Sequence, residues 1–441
     1  MPSAKSNPFL NRLAWPGLPT TLLGLLTTAL LGCSTPATGP AQSAPPRYRA
    51  VIDAGSSGSR LHLYQSQPDG RFVTVRELFS NAQAPHPLSW YDGRHGPGSE
   101  PSQAGPEGVQ SLLKRLQNHL QAQGMAPEQV PVELLATAGM RLVPPATADS
   151  IYASVRQAIQ TQGFTLGEVR TLSGQDEGLY AWVDVNYLQG RFHRREATEG
   201  VVEIGGASAQ VAFALPQAPT EPSPQVRVLD INGARYPVLA VSYLGLGQNQ
   251  ARLAMLQHPA SGGTEANVCY PRNPESTPAR YSADLPGWSV LAAGGRYSAA
   301  CRSVYEEVVQ QTSADAPNAY PVQQLLAQPG FAQTRFVGLS SVYYAFKDWG
   351  ALTAAQPATT LQTALDQRCG GPAGWPQVLA QYHHHLNSFS QNACANGSFV
   401  WSLLYSPRAL GLREDQLKAQ GRVQGQEPSW TRGWMVMQAG R

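Results

Sequence analysis

The sequence contains no Gly-Lys pair, which excludes the phosphate-cradling loop G-x-x-x-x-G-K-[ST]. No G-x-G-x-x-G string follows an apolar strand and opens a helix. No two cysteines have the C-x-x-C spacing of common zinc sites. Charge is scarce: 14% of the 441 residues are Asp, Glu, Lys or Arg, and the net charge is only +3. Losing Lys5 and Arg12 with a leader brings that excess close to zero. Such a balance argues against nucleic-acid partners and against an anionic membrane surface. The apolar run Leu18 to Leu31 is too short and too early for a membrane span. What remains is a chain that is 42% hydrophobic, with 42 Gly and 36 Pro. That composition suits a loop-rich α/β protein, long enough for two domains.

Residues 1–33 have the parts of a secretory leader: a positive start with Lys5 and Arg12, then the apolar run, then Leu30-Leu31-Gly32-Cys33-Ser34. The last string resembles the lipobox of bacterial lipoproteins. In that family the cysteine, here Cys33, becomes the lipid-bearing first residue of the mature chain. The expected division is a leader over 1–32 and a Pro/Ala/Ser/Thr-rich tether over 33–47. Lipid on Cys33 would attach the protein to a membrane without a span. By the same resemblance, Ser34 in place of Asp favours an exported, outer-membrane location facing periplasm or cell surface. Export makes the four remaining cysteines, Cys269, Cys301, Cys369 and Cys394, candidates for two disulfides. Three pairings are possible. Cys269–Cys301 with Cys369–Cys394 closes short loops without crossing, and is preferred.

One pattern occurs twice. In Arg49 to Tyr64 an apolar run ends at Asp53, a turn of small residues spans Ala54 to Ser59, and an alternating run follows. In Gly200 to Phe213 an apolar run ends at Glu203, a Gly/Ala/Ser turn spans Gly205 to Ser208, and a second strand follows. Each reads as a β-hairpin with a carboxylate at the end of its first strand. Small turn residues let backbone N–H groups approach an anion, and serine hydroxyls add donors. A carboxylate cannot bind phosphate directly, but it can hold a divalent cation, through water, that faces the phosphates. Two such hairpins across a cleft would clamp an oligophosphate.

Between them lie a helical period over Glu107 to Met125 and a strand at Val132 to Leu135 that runs into Ala136–Arg141. Asp149 is the expected N-cap of a helix reaching Gln162. A strand at Val169 to Leu172 ends in Ser173-Gly174-Gln175-Asp176-Glu177-Gly178. Alternating strands and helices indicate an α/β fold.

Four strings, Asp53–Ser57, Ala136–Arg141, Ser173–Trp182 and Glu203–Gln210, resemble the ordered blocks of the apyrase, or nucleoside triphosphate diphosphohydrolase, family. Val337–Tyr344 and Ser429–Gly433 resemble further family segments more loosely. The resemblance covers about residues 48–441. It implies an actin/hexokinase-like α/β fold, two RNase H-like lobes with a cleft between them. Lobe I would run over 48–172, completed by about 424–441, and lobe II over 173–423. It implies Glu177 as general base, with Ser208 and Gln210 orienting the attacking water. Ser56, Ser57, Gly58, Thr137, Gly206 and Ala207 would contact phosphate, and Tyr344 the base. Asp53 and Glu203 would hold Mg²⁺ or Ca²⁺ through water. Nucleoside tri- and diphosphates would be the substrates, and the protein a monomer.

Two positions depart from the family pattern. Glu203 replaces an Asp, and Gln248 stands where an Arg often touches the nucleotide. Two other readings remain: an exopolyphosphatase or guanosine pentaphosphate phosphatase, and a surface lipoprotein whose catalysis is weakened by Glu203.

Overall fold

The computed structural model describes residues 47–439, apart from 70–71, 82–85, 195–196, 263–266, 272–278, 283–288, 293–296, 371–373 and 384–387. The leader 1–32, Cys33 and all of the tether except Arg47 therefore lie outside the described residues. No described helix is long and apolar enough to cross a membrane.

Two sheets carry the architecture. The first contains β1 (Arg47–Gly55), β2 (Gly58–Asp69), β3 (Phe72–Asn81), β4 (Pro131–Ala136) and β5 (Thr165–Thr171), in the order β3-β2-β1-β4-β5. The second contains β6 (Gly200–Ile204), β7 (Ser208–Ala214), β8 (Val226–Ile231) and β9 (Ala234–Leu244). After a separate ribbon of β10 (Ala279–Ser282) and β11 (Ser289–Ala292), it is completed by β12 (Phe336–Ser340) and β13 (Leu417–Ala419). Its order is β13-β12-β6-β7-β9-β8. In each sheet an antiparallel hairpin adjoins a parallel strand: β1 pairs β2 and β4, while β6 pairs β7 and β12. The repeated sequence pattern is thus a repeated topology, and the expected two-sheet α/β fold is present.

Helices fill three layers. In the first half these are α1 (Gln110–Ala122), the single turn α2 (Ala138–Arg141), α3 (Pro145–Thr161), α4 (Gly174–Leu188) and α5 (Arg191–Arg194). In the second half they are α6 (Gln248–Gln257), α7 (Ala300–Ala314), α8 (Ser341–Asp348), α9 (Pro357–Gly370), α10 (Gly374–Gln381), α11 (Ser388–Tyr405) and α12 (Trp430–Ala439). Leu112, Leu113, Leu116 and Leu120 of α1 and Ile151, Val155 and Ile159 of α3 cover the outer face of the first sheet. Residues of α6, α7, α9 and α11 cover the outer face of the second. Between the sheets, α4 and α12 pack on each other through Trp182, Trp434 and Met435. Gly433 permits this approach, because a Cβ there would stand 1.9 Å from the Tyr180 carbonyl oxygen.

Three local expectations are corrected. Helix α3 begins at Pro145, so Asp149 lies inside it and is not its N-cap. A proline at the first helical position loses nothing, since that N–H has no intrahelical partner. The helix expected over Glu107 to Met125 is regular only over Gln110–Ala122, after a wider turn at Ala104–Val109. The first hairpin tip is also tighter than Ala54 to Ser59. Gly55 pairs with Gly58, leaving only Ser56 and Ser57 in the turn.

The cysteines join as Cys269–Cys301 and Cys369–Cys394, the sequential pairing. They tie the loop before α7 to that helix, and α9 to α11, within the outer layer of the second sheet.

Candidate active site

Alternation along the strands aims the site. Ala50, Ile52 and Ala54 of β1 enter the outer core, whereas Val51 enters the core between the sheets. Side chains alternate with a period of two, so Asp53 points to the inner layer with Val51. In β6, Val202 and Ile204 face outward while Val201 faces inward, and Glu203 goes with Val201. Ala212 of β7 and Val238 and Ala240 of β9 face the same layer, which places Ser208, Gln210 and Ser242 there too. Between the sheets α4 starts with Ser173 as its cap, whose side chain accepts from the Asp176 N–H at 3.0 Å. This cap places Glu177 in the first turn, 8% exposed and within electrostatic reach of the two strand-end acids.

The three carboxylates act on one another. Burial, then Glu177, then Glu203 push the Asp53 carboxyl up to about 8, against the pull of Arg60 and the Trp430 side chain. Burial and Glu177 push Glu203 up to about 7, offset in part by Ser340. Ser340 Oγ donates to Glu203 Oε1 at 2.8 Å. Glu177 is also raised by burial, with the Arg141 guanidinium pulling the other way through a direct ion pair. Asp53 Oδ1 is buried with no hydrogen-bond partner, as is Gln210 Oε1. Hard oxygens, mutual repulsion and an orphaned acceptor fit a divalent cation or its bound water. Among the described residues no three His, Cys, Asp or Glu side chains are close enough to hold a metal directly.

The hairpin tips meet at the edge of this layer. A Cβ on Gly206 would stand 2.6 Å from Ser56 Oγ, so the two turns touch across the gap. The Thr137 N–H donates to the Ala54 carbonyl at 3.1 Å, and Gly139 lies against Ser56. Ser57 is exposed beside it at the tip, before Gly58, while Ala207 is buried in the second turn. The second turn is pinned from behind: its Gly205 and Gly206 carbonyls accept from the N–H groups of Gln248 and Asn249 at 2.8 and 2.9 Å. Gln210 Nε2 donates to Ser208 Oγ at 2.5 Å and to Ser242 Oγ at 3.2 Å, leaving its carbonyl end free. Tyr344 stands apart on α8, one helical turn beyond Ser340, with its ring 60% exposed and edge-on to Tyr343.

Three participants carried no role in the sequence reading. Arg141 closes the block whose expected phosphate contact is Thr137. Ser242 is the polar residue in the apolar run Val238 to Tyr243, and that interruption was its signal. Ser340 has a φ of +55°, a backbone conformation unusual for serine. It ends β12 opposite Ile204, the place that Ala136 holds in β4 opposite Ala54.

Comparison with known proteins agrees with this geometry. The chain is 27% identical over 450 residues to the Golgi apyrase of Saccharomyces cerevisiae, covering 89% of this chain and 70% of that one. It is 26% identical to ectonucleoside triphosphate diphosphohydrolase 1 of Rattus norvegicus, covering 88% and 80%. Human nucleoside diphosphate phosphatase ENTPD5 is 34% identical over 244 residues, and there the match spans about half of each chain, 52% and 54%. A crystal structure of nucleoside triphosphate hydrolases from Neospora caninum superposes with a TM-score of 0.62 at 18% identity, over 89% and 92% of the two chains, and so shares the fold. The resemblance carried by the four sequence blocks extends to a family model matching residues 41–440, and the chain belongs to the GDA1/CD39 (nucleoside phosphatase) family.

Proposed function

We propose that this protein is an apyrase-type phosphohydrolase. It would remove the terminal phosphate of nucleoside tri- and diphosphates with Mg²⁺ or Ca²⁺. One observation carries the reading: Asp53, Glu177 and Glu203 converge on one buried layer, directly beside the touching hairpin tips. The backbone N–H groups of Ser57, Gly58, Gly206 and Ala207, with the Ser56 and Thr137 hydroxyls, hold the phosphate chain. Ser208 and the free carbonyl end of Gln210 orient a water in line with the terminal phosphorus. Glu177 accepts a proton from that water as its oxygen attacks, and the shortened nucleotide leaves. Asp53 and Glu203 would hold a divalent cation through water, and that cation would supply charge neutralisation for the phosphates. Arg141 opposes the rise in proton affinity that burial gives Glu177. The exposed ring of Tyr344 offers a stacking surface for the base.

The division into lobe I (48–172 with about 424–441) and lobe II (173–423) is part of the same proposal. It is supported by the two sheets and by α12 lying against β2, β3 and α4. Phosphate release from ATP, ADP and polyphosphate, with and without EDTA, tests the reading. Release from ATP and ADP that EDTA abolishes upholds it, and release from polyphosphate alone transfers the protein to the exopolyphosphatase class.

Glu203 is where the metal assignment is most exposed to test. Glu203→Gln removes one of the charges facing the cation and should raise the metal concentration for half-maximal activity at least about tenfold, roughly 1.4 kcal/mol. Glu203→Asp restores the family residue and should keep substantial activity. Unchanged metal dependence in Glu203→Gln would assign the metal to other residues.

Attachment through lipid on Cys33 is likewise proposed, on the leader sequence alone. Cys33→Ser should lose incorporation of labelled palmitate and, once the leader is cleaved, leave the membrane fraction. Retention of the cleaved variant on the membrane would mean a different anchor.

A further inference from the structure

One buried cation has no acid to neutralise it among the described residues. Arg252 of α6 is 4% exposed. Its guanidinium donates to Asn396 Oδ1 at 3.0 Å and to Asn249 Oδ1 at 3.2 Å. Among the described residues no carboxylate lies within ion-pair distance of it. A buried charge paired only with neutral groups is costly, and such charges are ordinarily found with a counter-charge. The cost has a direction here, because of what Arg252 holds. A guanidinium only donates, so the Asn249 atom it fixes must be the oxygen, and the other end of that amide is the NH₂ group. That NH₂ is aimed at the second hairpin turn: a Cβ on Gly206 would stand 3.4 Å from Asn249 Nδ2 and 2.6 Å from Ser56 Oγ. Asn249 is also tied to the turn through its backbone, its N–H donating to the Gly206 carbonyl at 2.9 Å.

We propose that Asn249 is a phosphate-contacting residue of this site, and that Arg252 is its positioning residue and the source of buried positive charge behind the second turn. The ligand is the phosphate chain of a nucleotide, so the inference rests on the phosphohydrolase reading and deepens it. Asn249 Nδ2 and Ser56 Oγ flank the gap between the tips, one donor from each side. The site is otherwise rich in negative charge, with Asp53, Glu177 and Glu203 in the layer beneath. Arg252 lies behind the second turn, and the counter-charge that the described residues do not give it is supplied when the polyphosphate binds.

The test uses the whole chain and two substitutions that are expected to leave the fold intact. Asn249→Asp is nearly isosteric and gives Arg252 a carboxylate partner, so the melting temperature should not fall. It also sets a negative charge beside the phosphates, and the KM for ATP should rise about tenfold or more while kcat changes by less than about threefold. Arg252→Met removes a buried charge from neutral surroundings while keeping an unbranched chain. It should raise KM without lowering the melting temperature, and Arg252→Lys should recover part of the affinity. A merely structural arginine would give the opposite pattern, a lower melting temperature with an unchanged KM. KM within twofold of wild type in Asn249→Asp overturns the proposal, and that variant decides the matter if Arg252→Met does not fold. Calorimetric titration with tripolyphosphate separates this inference from the broader reading. If the wild type releases no phosphate from ATP yet binds tripolyphosphate, and Asn249→Asp does not, the phosphate contact stands while the hydrolase reading falls. Absence of binding by the wild type overturns both.

Discussion

Glu177→Gln should lower kcat for ATP by about 10²–10⁴-fold, the usual contribution of a general base, and leave KM within a few-fold of wild type. The substitution keeps the size of the side chain and removes its capacity to accept the proton. Three features make the base the expected point of failure. Glu177 is held in the first turn of α4 by the Ser173 cap. Burial raises its proton affinity while the Arg141 guanidinium opposes that rise. The Gln210 amide, fixed at its donor end by two hydroxyls, keeps an acceptor free for the water beside it. The substitution also removes a negative charge that raises both Asp53 and Glu203, so those two should remain ionised to lower pH. Steady-state kinetics with a metal titration separates the roles. A drop in kcat at unchanged metal affinity identifies a base, and a loss that extra metal restores identifies a ligand. A drop of less than threefold at saturating metal removes Glu177 from the mechanism.

The sequence alone carries whatever local chemistry writes into adjacent residues. Asp53 and Glu203 are each preceded by a short apolar run and stand just before a turn of small residues, and both lie near the ends of equivalent strands. Glu177 sits just after a strand, in a turn that caps a helix, and that too is a feature of neighbours in sequence. The partners that hold these residues were not readable, because packing brings them together over long separations. Arg141 reaches Glu177 only because β4 and β5 lie side by side in the sheet. Ser242 reaches Gln210 only through the register of β7 with β9. Asn396 meets Arg252 from another helix. The helix before β5 was misplaced at its start for a different reason. Asp149 has the chemistry of a cap, but Pro145 at the first position and the apolar face begun by Ala148 extend the helix past it. The domain-scale repeat was legible as two hairpins, whereas the joint between the halves was not: nothing near Asp184 in sequence announces its partner.

That joint yields the second large effect. Asp184 of α4 and Arg432 of α12 form an ion pair whose side chains are 0% and 1% exposed. Arg432 Nε donates to Asp184 Oδ1 at 2.6 Å, and the Ser429 N–H donates to Asp184 Oδ2 at 2.7 Å. The remaining guanidinium nitrogens reach Gln426 Oε1 and the Glu427 carbonyl, which fixes the entry into α12. Burial outweighs Arg432 in setting the proton affinity of Asp184, which is raised despite the pair. A buried pair is ordinarily close to break-even, but Asp184 alone would be a buried, unmatched charge, and Arg432 alone would keep only Glu77 Oε2 at 3.8 Å. Asp184→Asn should destabilise the fold by about 3–5 kcal/mol, read as a lower urea midpoint at constant slope. The double substitution Asp184→Leu with Arg432→Met removes both charges and should recover most of that loss. Activity should follow stability, because α4 carries Glu177 at its other end and α12 lies beneath Asp53 through Trp430. A cost below about 1 kcal/mol for Asp184→Asn would mean that apolar packing of Trp182, Trp434 and Met435 alone holds α12 between the sheets. A double variant no more stable than the single one would mean that the hydrogen bonds to Ser429 and Glu427, rather than the opposite charges, are what the joint requires.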